Sequence, residues 1–324
     1  MSDLPATAVV FAYHNVGVRA LSVLLALGVR VSLVVTHADD PDENQWFDSV
    51  AHLAALEGID TILPDDPNTP EVVARLQSLQ PDFIFSFYYR HMLGEELLAL
   101  PRRGAYNLHG SLLPQYRGRV PINWAVCHGE RETGVSLHEM VLKPDAGALL
   151  DQEPVAILPN DTAHAVFQKA VCAGERLLLR QVPALLAGTA TATPLDLTRG
   201  SYFGRRRPED GRIDWQLSAW AIHNLIRAVA PPYPGAFFEV DGVRIAVLRS
   251  HYRGEAARSQ PASWPCLYWE AHRCLADCLD GRRLQLVQLA IHGEPLDRAA
   301  FCQWWGDALL QPLHVPSTAR RVTL

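Results

Sequence analysis

The chain has 324 residues, 48% of them hydrophobic, with both charge signs mixed along it. That composition excludes a disordered or collagen-like chain and leaves enough length for two domains. A net charge of -6 argues against nucleic acid as the main partner, since phosphate backbones select basic surfaces. The one dense basic patch, Arg205-Arg206-Arg207, suffices for a small anion.

The 6 cysteines, Cys127, Cys172, Cys266, Cys274, Cys278 and Cys302, form no CxxC pair and fit reduced thiols. Met1-Ser2-Asp3-Leu4-Pro5 lacks the basic and apolar regions of a signal peptide. No uninterrupted apolar run reaches the ~18 residues of a membrane span. A cytoplasmic protein with no membrane partner is expected.

Ala8 to Tyr13 is a short apolar run suited to a buried strand. A helix follows, with Val18, Leu21, Leu24 and Leu25 at helical spacing and Gly28 as its stop. Val31 to Val35 is a second β-branched run, so the first thirty-odd residues predict a βαβ unit and a parallel sheet. The alternation continues with a helix over 49–57 and a strand over Gly58-Ile59 and Ile62-Leu63. A helix opened by Thr69-Pro70 runs to Leu79, and Phe83 to Phe87 is a strand. Glu95 to Leu100 is a short helix, and Gly104 to His109 a strand that ends in polar side chains.

Thr162 to Leu186 predicts one long helix. Ala187 to Thr193 and Gly200 to Gly211 are small, polar, or rich in Arg, Gly and Pro, as a linker is. After a helix near Ser218 to Ala230, β runs follow at 235–240, 243–249, 266–270 and 284–290. Asp241-Gly242 and Asp280-Gly281 serve as hairpin turns. The tail is expected to form a small antiparallel barrel or sandwich.

In an open α/β sheet, ligands gather beyond the carboxyl ends of the strands. The segment Asn107-Leu108-His109-Gly110-Ser111-Leu112-Leu113-Pro114-Gln115-Tyr116-Arg117-Gly118-Arg119 begins at such an end. Asn107 and His109 stand two apart and share one face of the strand. An amide N–H can donate to a developing oxyanion, and an imidazole can move a proton near neutral pH. Together they suit acyl transfer to an amine. Asp145, in Lys143-Pro144-Asp145-Ala146-Gly147, is the candidate carboxylate; beside His109 it would raise the imidazole pKa and orient the ring.

The string Asn-x-His-Gly-Ser-Leu-Leu-Pro with Tyr-Arg-Gly-Arg resembles the signature of the 10-formyltetrahydrofolate-dependent formyltransferases. Thr133-Gly134-Val135-Ser136 and Asp145-Ala146-Gly147 stand where that family has its ETGV and D-x-G elements. The resemblance covers nearly the whole chain. It implies an α/β fold: a Rossmann-like, open, mainly parallel N-terminal sheet domain over 1–200, a linker over 201–215, and a small OB-like C-terminal β-barrel over 216–324. It implies that Asn107 stabilises the transition state, His109 is the acid/base and Asp145 raises the pKa of His109. The folate cosubstrate would lie against His91, Met92, Leu93, Arg119 and the loop Val141, Leu142, Lys143, Pro144 and Asp145, with no metal.

Family members differ in the amine they accept. Val10-Phe11-Ala12-Tyr13-His14, Phe85-Ser86-Phe87-Tyr88-Tyr89-Arg90-His91, Gly118 to Trp124 and Phe203-Gly204-Arg205-Arg206 are most similar to members that act on UDP-4-amino-4-deoxy-L-arabinose. Those members serve lipid A modification and polymyxin resistance. The resemblance here is to a stand-alone form, without the fused decarboxylase domain of the best-known example, so another protein would supply the decarboxylation. Val120 departs from the alanine more usual at its position. Tyr13, Arg205 and Arg206 are the expected contacts to the sugar nucleotide, since arginine forks match phosphate oxygens. Tyr88, Tyr89 and Trp124 fit either a pocket lining or core. A homo-oligomer is compatible with the sequence.

Four other readings compete. His272, Cys274, Cys278 and Cys302 have loose zinc spacing but no second close pair. A dinucleotide-dependent oxidoreductase would need GxGxxG where the chain has Tyr13-His14-Asn15-Val16-Gly17. A non-catalytic nucleotide-sugar binding protein would show no folate dependence. Methionyl-tRNA formyltransferase would share the chemistry but bind RNA with strong salt dependence.

Overall fold

The apolar runs of the first half pair side by side, as parallel strands separated by helices must. β1 (Thr7–Ala12) and β2 (Arg30–Val35) flank α1 (His14–Ala26). α2 (Val50–Leu56), β3 (Thr61–Ile62), α3 (Pro70–Leu79), β4 (Phe83–Phe87), α4 (Glu95–Leu98) and β5 (Gly104–His109) continue the alternation. Ser49 caps α2 by accepting from the His52 amide at 3.3 Å, and Pro70 opens α3, where its missing N–H is no loss. A computed structural model of the chain describes residues 5–39, 45–257, 265–305 and 311–313. The leader reading rests mainly on Met1 to Leu4, outside those residues.

The chain forms two compact units. The first comprises Met1–Pro121, Glu132–Ala156 and Phe167–Gly204; the second comprises Ile122–Arg131, Ile157–Val166 and Arg205–Leu324. Two short segments that precede Gly204 in the chain, Ile122–Arg131 and Ile157–Val166, belong to the second unit.

In the first unit, β6 (Arg117–Gly118) lies near the end of the Asn107 to Arg119 segment; α5 (Pro121–Cys127) follows, all but its first residue in the second unit. β7 (Glu132–Glu139) and β8 (Leu149–Ala156) then extend the sheet. Its order is β3-β2-β1-β4-β5-β7-β8, parallel through β5 and antiparallel beyond it. Val9, Phe11, Leu33, Ile84, Leu76, Leu93 and Leu97 make one of its buried clusters. The long α6 (Ala163–Ala187) sends Arg176 and Arg180 to Glu153 and Asp151 of β8, at 3.0 and 2.7 Å. Its Glu175 meets Arg19 of α1 at 2.9 Å. β9 (Tyr202–Phe203) pairs with β6 as a separate two-stranded ribbon.

In the second unit, α7 (Ala219–Ala228) is capped by Ser218, which accepts from the Ala221 amide at 3.2 Å. β10 (Ala236–Val240), β11 (Val243–His251), β12 (Cys266–Glu270), β13 (Arg273–Asp277) and β14 (Arg283–Ile291) follow. β15 (Glu294–Pro295), α8 (Arg298–Trp305) and β16 (Gln311–Pro312) complete it. The strands build an antiparallel half-barrel in the order β10-β11-β14-β13-β12-β16. Trp215, Ile222, Ile226, Phe238, Val247, Leu284 and Phe301 fill its core. β13 and α8 lay within stretches where the sequence predicted no element.

Candidate active site

β5 ends with Asn107 and His109 on one face, at the carboxyl edge of the sheet. His109 is 7% exposed. Its Nε2 lies 2.8 Å from the carbonyl oxygen of Tyr116, and its Nδ1 lies 3.4 Å from Oδ1 of Asp145. Both partners are acceptors, so a doubly protonated ring satisfies both and a neutral ring only one. Tyr116 sits in the left-handed region, φ 54°, where its carbonyl meets the imidazole.

Asp145 also adopts a left-handed conformation, φ 50°, one that aspartate tolerates better than most residues. Its Oδ2 accepts the Gly118 N–H at 2.8 Å. Burial works against the carboxylate charge, but a protonated His109 beside it and the Gly118 amide pull the other way, and the net direction of its pKa is down. The sequence reading expected Asp145 to raise the His109 value. The carboxylate and the Tyr116 carbonyl do pull upward, but burial pushes down harder and the net direction is down. Burial and pairing thus oppose each other at one imidazole, an arrangement suited to a proton carrier.

The turn after β5 is held by a buried polar network. Ser136 Oγ donates to the Ser111 carbonyl at 2.6 Å and accepts from the Leu113 amide at 3.0 Å and Gln152 Nε2 at 2.8 Å. That uses the hydroxyl fully. Ser111 donates in turn to the Gln115 carbonyl at 2.6 Å. Ser201 braces the far side by accepting from the Tyr116 amide at 2.9 Å. Two glycines allow close backbone approach. A Cβ at Gly134 would stand 2.5 Å from both Leu112 Cδ2 and the Glu153 carbonyl, and one at Gly147 would fall on the Glu139 carbonyl. The ETGV and D-x-G elements are therefore packing requirements around the string as well as sequence signatures.

His138 was not singled out from the sequence. It pairs directly with Asn107 across β5 and β7, and its Nε2 lies 3.1 Å from Asn107 Nδ2 and 3.6 Å from Asp145 Oδ1. Asn68 was also missed: it accepts from the Gly94 amide at 2.6 Å and donates to the Met92 carbonyl at 3.0 Å. It thereby clamps the turn that carries His91, Met92 and Leu93. The Asp66-x-Asn68 spacing of an Asx turn was the available signal.

Of the expected folate contacts, Arg119 reaches that same turn by donating to the Arg90 carbonyl at 3.1 Å. Leu93 is buried in the core, whereas His91 and Met92 are exposed. Val141 and Leu142 present apolar side chains to solvent, 42% and 57% exposed, next to Lys143, Pro144 and Asp145. Tyr13 is buried; its hydroxyl donates to Asp39 at 3.2 Å and Arg90 lies over its ring. Tyr89 stacks on His37 at 4.2 Å, and Tyr88 neighbours His14 and Phe167. In the second unit Arg205 is exposed, while Arg206 lies 4.7 Å over the Trp124 ring and donates to the Asp210 carbonyl at 3.2 Å. Among the described residues no three His, Cys, Asp or Glu side chains gather as a metal site, and no helix is long and apolar enough to cross a membrane. Burial pushes the Cys274 and Cys278 thiols upward, the latter to about 12.

Residues 24–182 match the family described as formyl transferase, and residues 206–303 match the formyl transferase C-terminal domain. The chain belongs to the formyltransferase family. Solved structures share this formyltransferase fold. An N-formyltransferase from Helicobacter canadensis, in complex with folinic acid and dTDP-3-aminofucose, is 19% identical with a TM-score of 0.67, over 87% of this chain and 99% of that one. The sugar 3N-formyl transferase WlaRD, with dTDP and 5-N-formyl-THF, is 17% identical with a TM-score of 0.69, over 91% and 98%. HypX from Aquifex aeolicus, in complex with tetrahydrofolic acid, is 16% identical with a TM-score of 0.60, over 93% of this chain and 47% of that one.

Proposed function

We propose that this formyltransferase moves the formyl group of 10-formyltetrahydrofolate onto the 4-amino group of a nucleotide-linked amino sugar, UDP-4-amino-4-deoxy-L-arabinose, in lipid A modification. The observation that carries the chemistry is the approach of His109 to Asp145, with Asn107 on the same strand face. The stretches similar to the arabinose-acting members support the acceptor. The ligands named for two enzymes of the same fold, dTDP-3-aminofucose with folinic acid and dTDP with 5-N-formyl-THF, support the coarser reading of a nucleotide-linked amino sugar and a formyl-folate donor.

In this reading the sugar amine attacks the formyl carbon and a new C–N bond forms. The carbonyl electrons move onto oxygen, where Asn107 donates a hydrogen bond. His109, whose pKa is lowered by burial, is available as the base and takes the amine proton on Nε2 as that nitrogen leaves the Tyr116 carbonyl. Asp145 stabilises the imidazolium that results and keeps Nε2 directed at the substrate. His109 then returns the proton to N10 of the folate as its C–N bond breaks. Tetrahydrofolate and the N-formyl sugar leave. Arg205 and Arg206 are assigned to the pyrophosphate, and Met92, Val141 and Leu142 to the apolar body of the folate.

The test is formyl transfer from 10-formyltetrahydrofolate to a panel of UDP-4-amino-4-deoxy-L-arabinose, other nucleotide-linked amino sugars and methionyl-tRNA. Turnover of the arabinose nucleotide above the rest supports the reading. Turnover of methionyl-tRNA alone overturns the acceptor, and turnover of none overturns the activity.

A further inference from the structure

His138 is 2% exposed and belongs to no motif that the sequence reading used. It stands directly opposite Asn107 in the β5–β7 pairing, so both side chains lie on the same face of the sheet. Its ring is fixed from one side. Nδ1 lies 2.7 Å from the carbonyl oxygen of the next residue, Glu139, and a carbonyl only accepts. Nδ1 therefore carries a hydrogen, and in the neutral ring Nε2 offers a lone pair.

That lone pair faces two groups. Asn107 Nδ2 is 3.1 Å away and Asp145 Oδ1 is 3.6 Å away. A carboxylate has no hydrogen to give, whereas the amide nitrogen has two. The shorter distance and the hydrogen count agree: Nε2 accepts from Asn107. The orientation of the Asn107 amide then follows from the tautomer. Its nitrogen faces His138, its oxygen points the other way, and one N–H remains for another acceptor.

We propose that His138 is a positioning residue for formyl transfer, whose Nε2 lone pair fixes the Asn107 amide so that one N–H is presented to the oxyanion. The proposal rests on the role given above to Asn107. Without His138 the amide is free to flip and bring Oδ1, an acceptor, to the place where a donor is needed.

The test is a double-mutant cycle with His138→Leu, His138→Gln, Asn107→Ala and the His138→Leu/Asn107→Ala pair, measuring kcat and KM for both substrates alongside melting temperature. His138→Leu is expected to lower kcat about 10²-fold, within the range for loss of one oxyanion donor, with KM changed about twofold or less. His138→Gln, which keeps an acceptor oxygen, restores part of that loss. Groups that act as a unit are non-additive, so the pair loses no more than Asn107→Ala alone. Independent, multiplying losses or wild-type turnover in His138→Leu overturns the proposal. Long-range proton–nitrogen NMR of the histidine-labelled wild type supplies a reading apart from turnover. Hydrogen on Nδ1 and a bare Nε2 of His138 support the proposal; hydrogen on Nε2 overturns it. A wild type inactive on every acceptor, with the His138 ring as stated, would fault the functional reading instead.

Discussion

Nδ1 of His109 stands 3.4 Å from Oδ1 of Asp145, and the other oxygen of that carboxylate is held from behind by the Gly118 amide at 2.8 Å. The backbone therefore positions the carboxylate before the imidazole takes a proton. Little reorganisation remains when it does, which is the condition under which fixed charges help most.

The pH dependence follows from the opposing influences on His109. Burial lowers its pKa and Asp145 opposes that fall. A base with a lowered pKa stays deprotonated to lower pH, so the acid limb of kcat lies below the ordinary histidine value of about 6.5. Asp145→Asn keeps an oxygen for the Gly118 amide but removes the charge. The acid limb then moves to still lower pH and kcat falls. A pH–rate profile of both proteins checks the sign; a limb shifted upward would contradict it.

Asn107→Ala and His109→Ala separate the two roles. Loss of an oxyanion donor costs about 10²- to 10³-fold in kcat, and loss of a general base about 10²- to 10⁴-fold. Both variants should retain the wild-type circular dichroism spectrum. Small added amines that mimic imidazole should restore some turnover to His109→Ala and none to Asn107→Ala.

Gly134→Ala tests whether the ETGV element is a packing requirement. Its Cβ would press on both Leu112 and the Glu153 backbone, 2.5 Å away. Overpacking of this kind costs about 1–3 kcal/mol. A melting point lower by several degrees, at roughly 2–4 °C per kcal/mol, is expected together with reduced turnover. An unchanged melting point would show that the strand yields without cost.

Val120 occupies the left-handed region, φ 46°, although it is β-branched. A side chain there costs about 1–2 kcal/mol, and asparagine tolerates the conformation better. Val120→Asn should stabilise the chain by about 1 kcal/mol, read as a rise in melting temperature.

Most of the parallel part of the sheet was legible because β1, β2 and β4 are apolar runs next to helices, which hydropathy registers directly. β7 escaped that reading. Its buried residues include Thr133, Ser136 and His138, whose burial depends on partners distant in sequence. Ser136 is buried because Ser111, Leu113 and Gln152 use its hydroxyl, and no periodicity announces that. β8 escaped for the opposite reason: it is half-exposed, and Asp151 and Glu153 look like loop residues until Arg176 and Arg180 meet them. The three proposed catalytic residues were named from the string and the D-x-G element. The balance of burial against pairing at His109 was not, since it depends on how deeply the fold places the ring.

The central claim is that this site joins a formyl group to the amine of a nucleotide-linked sugar. The most direct measurement is mass spectrometry of UDP-4-amino-4-deoxy-L-arabinose after incubation with the enzyme and 10-formyltetrahydrofolate carrying an isotopic label in the formyl carbon. The account predicts one labelled formyl group on the sugar nitrogen with wild type, and almost none with His109→Ala. Label that stays on the folate with the wild-type enzyme, or reaches the sugar equally with both proteins, would contradict it.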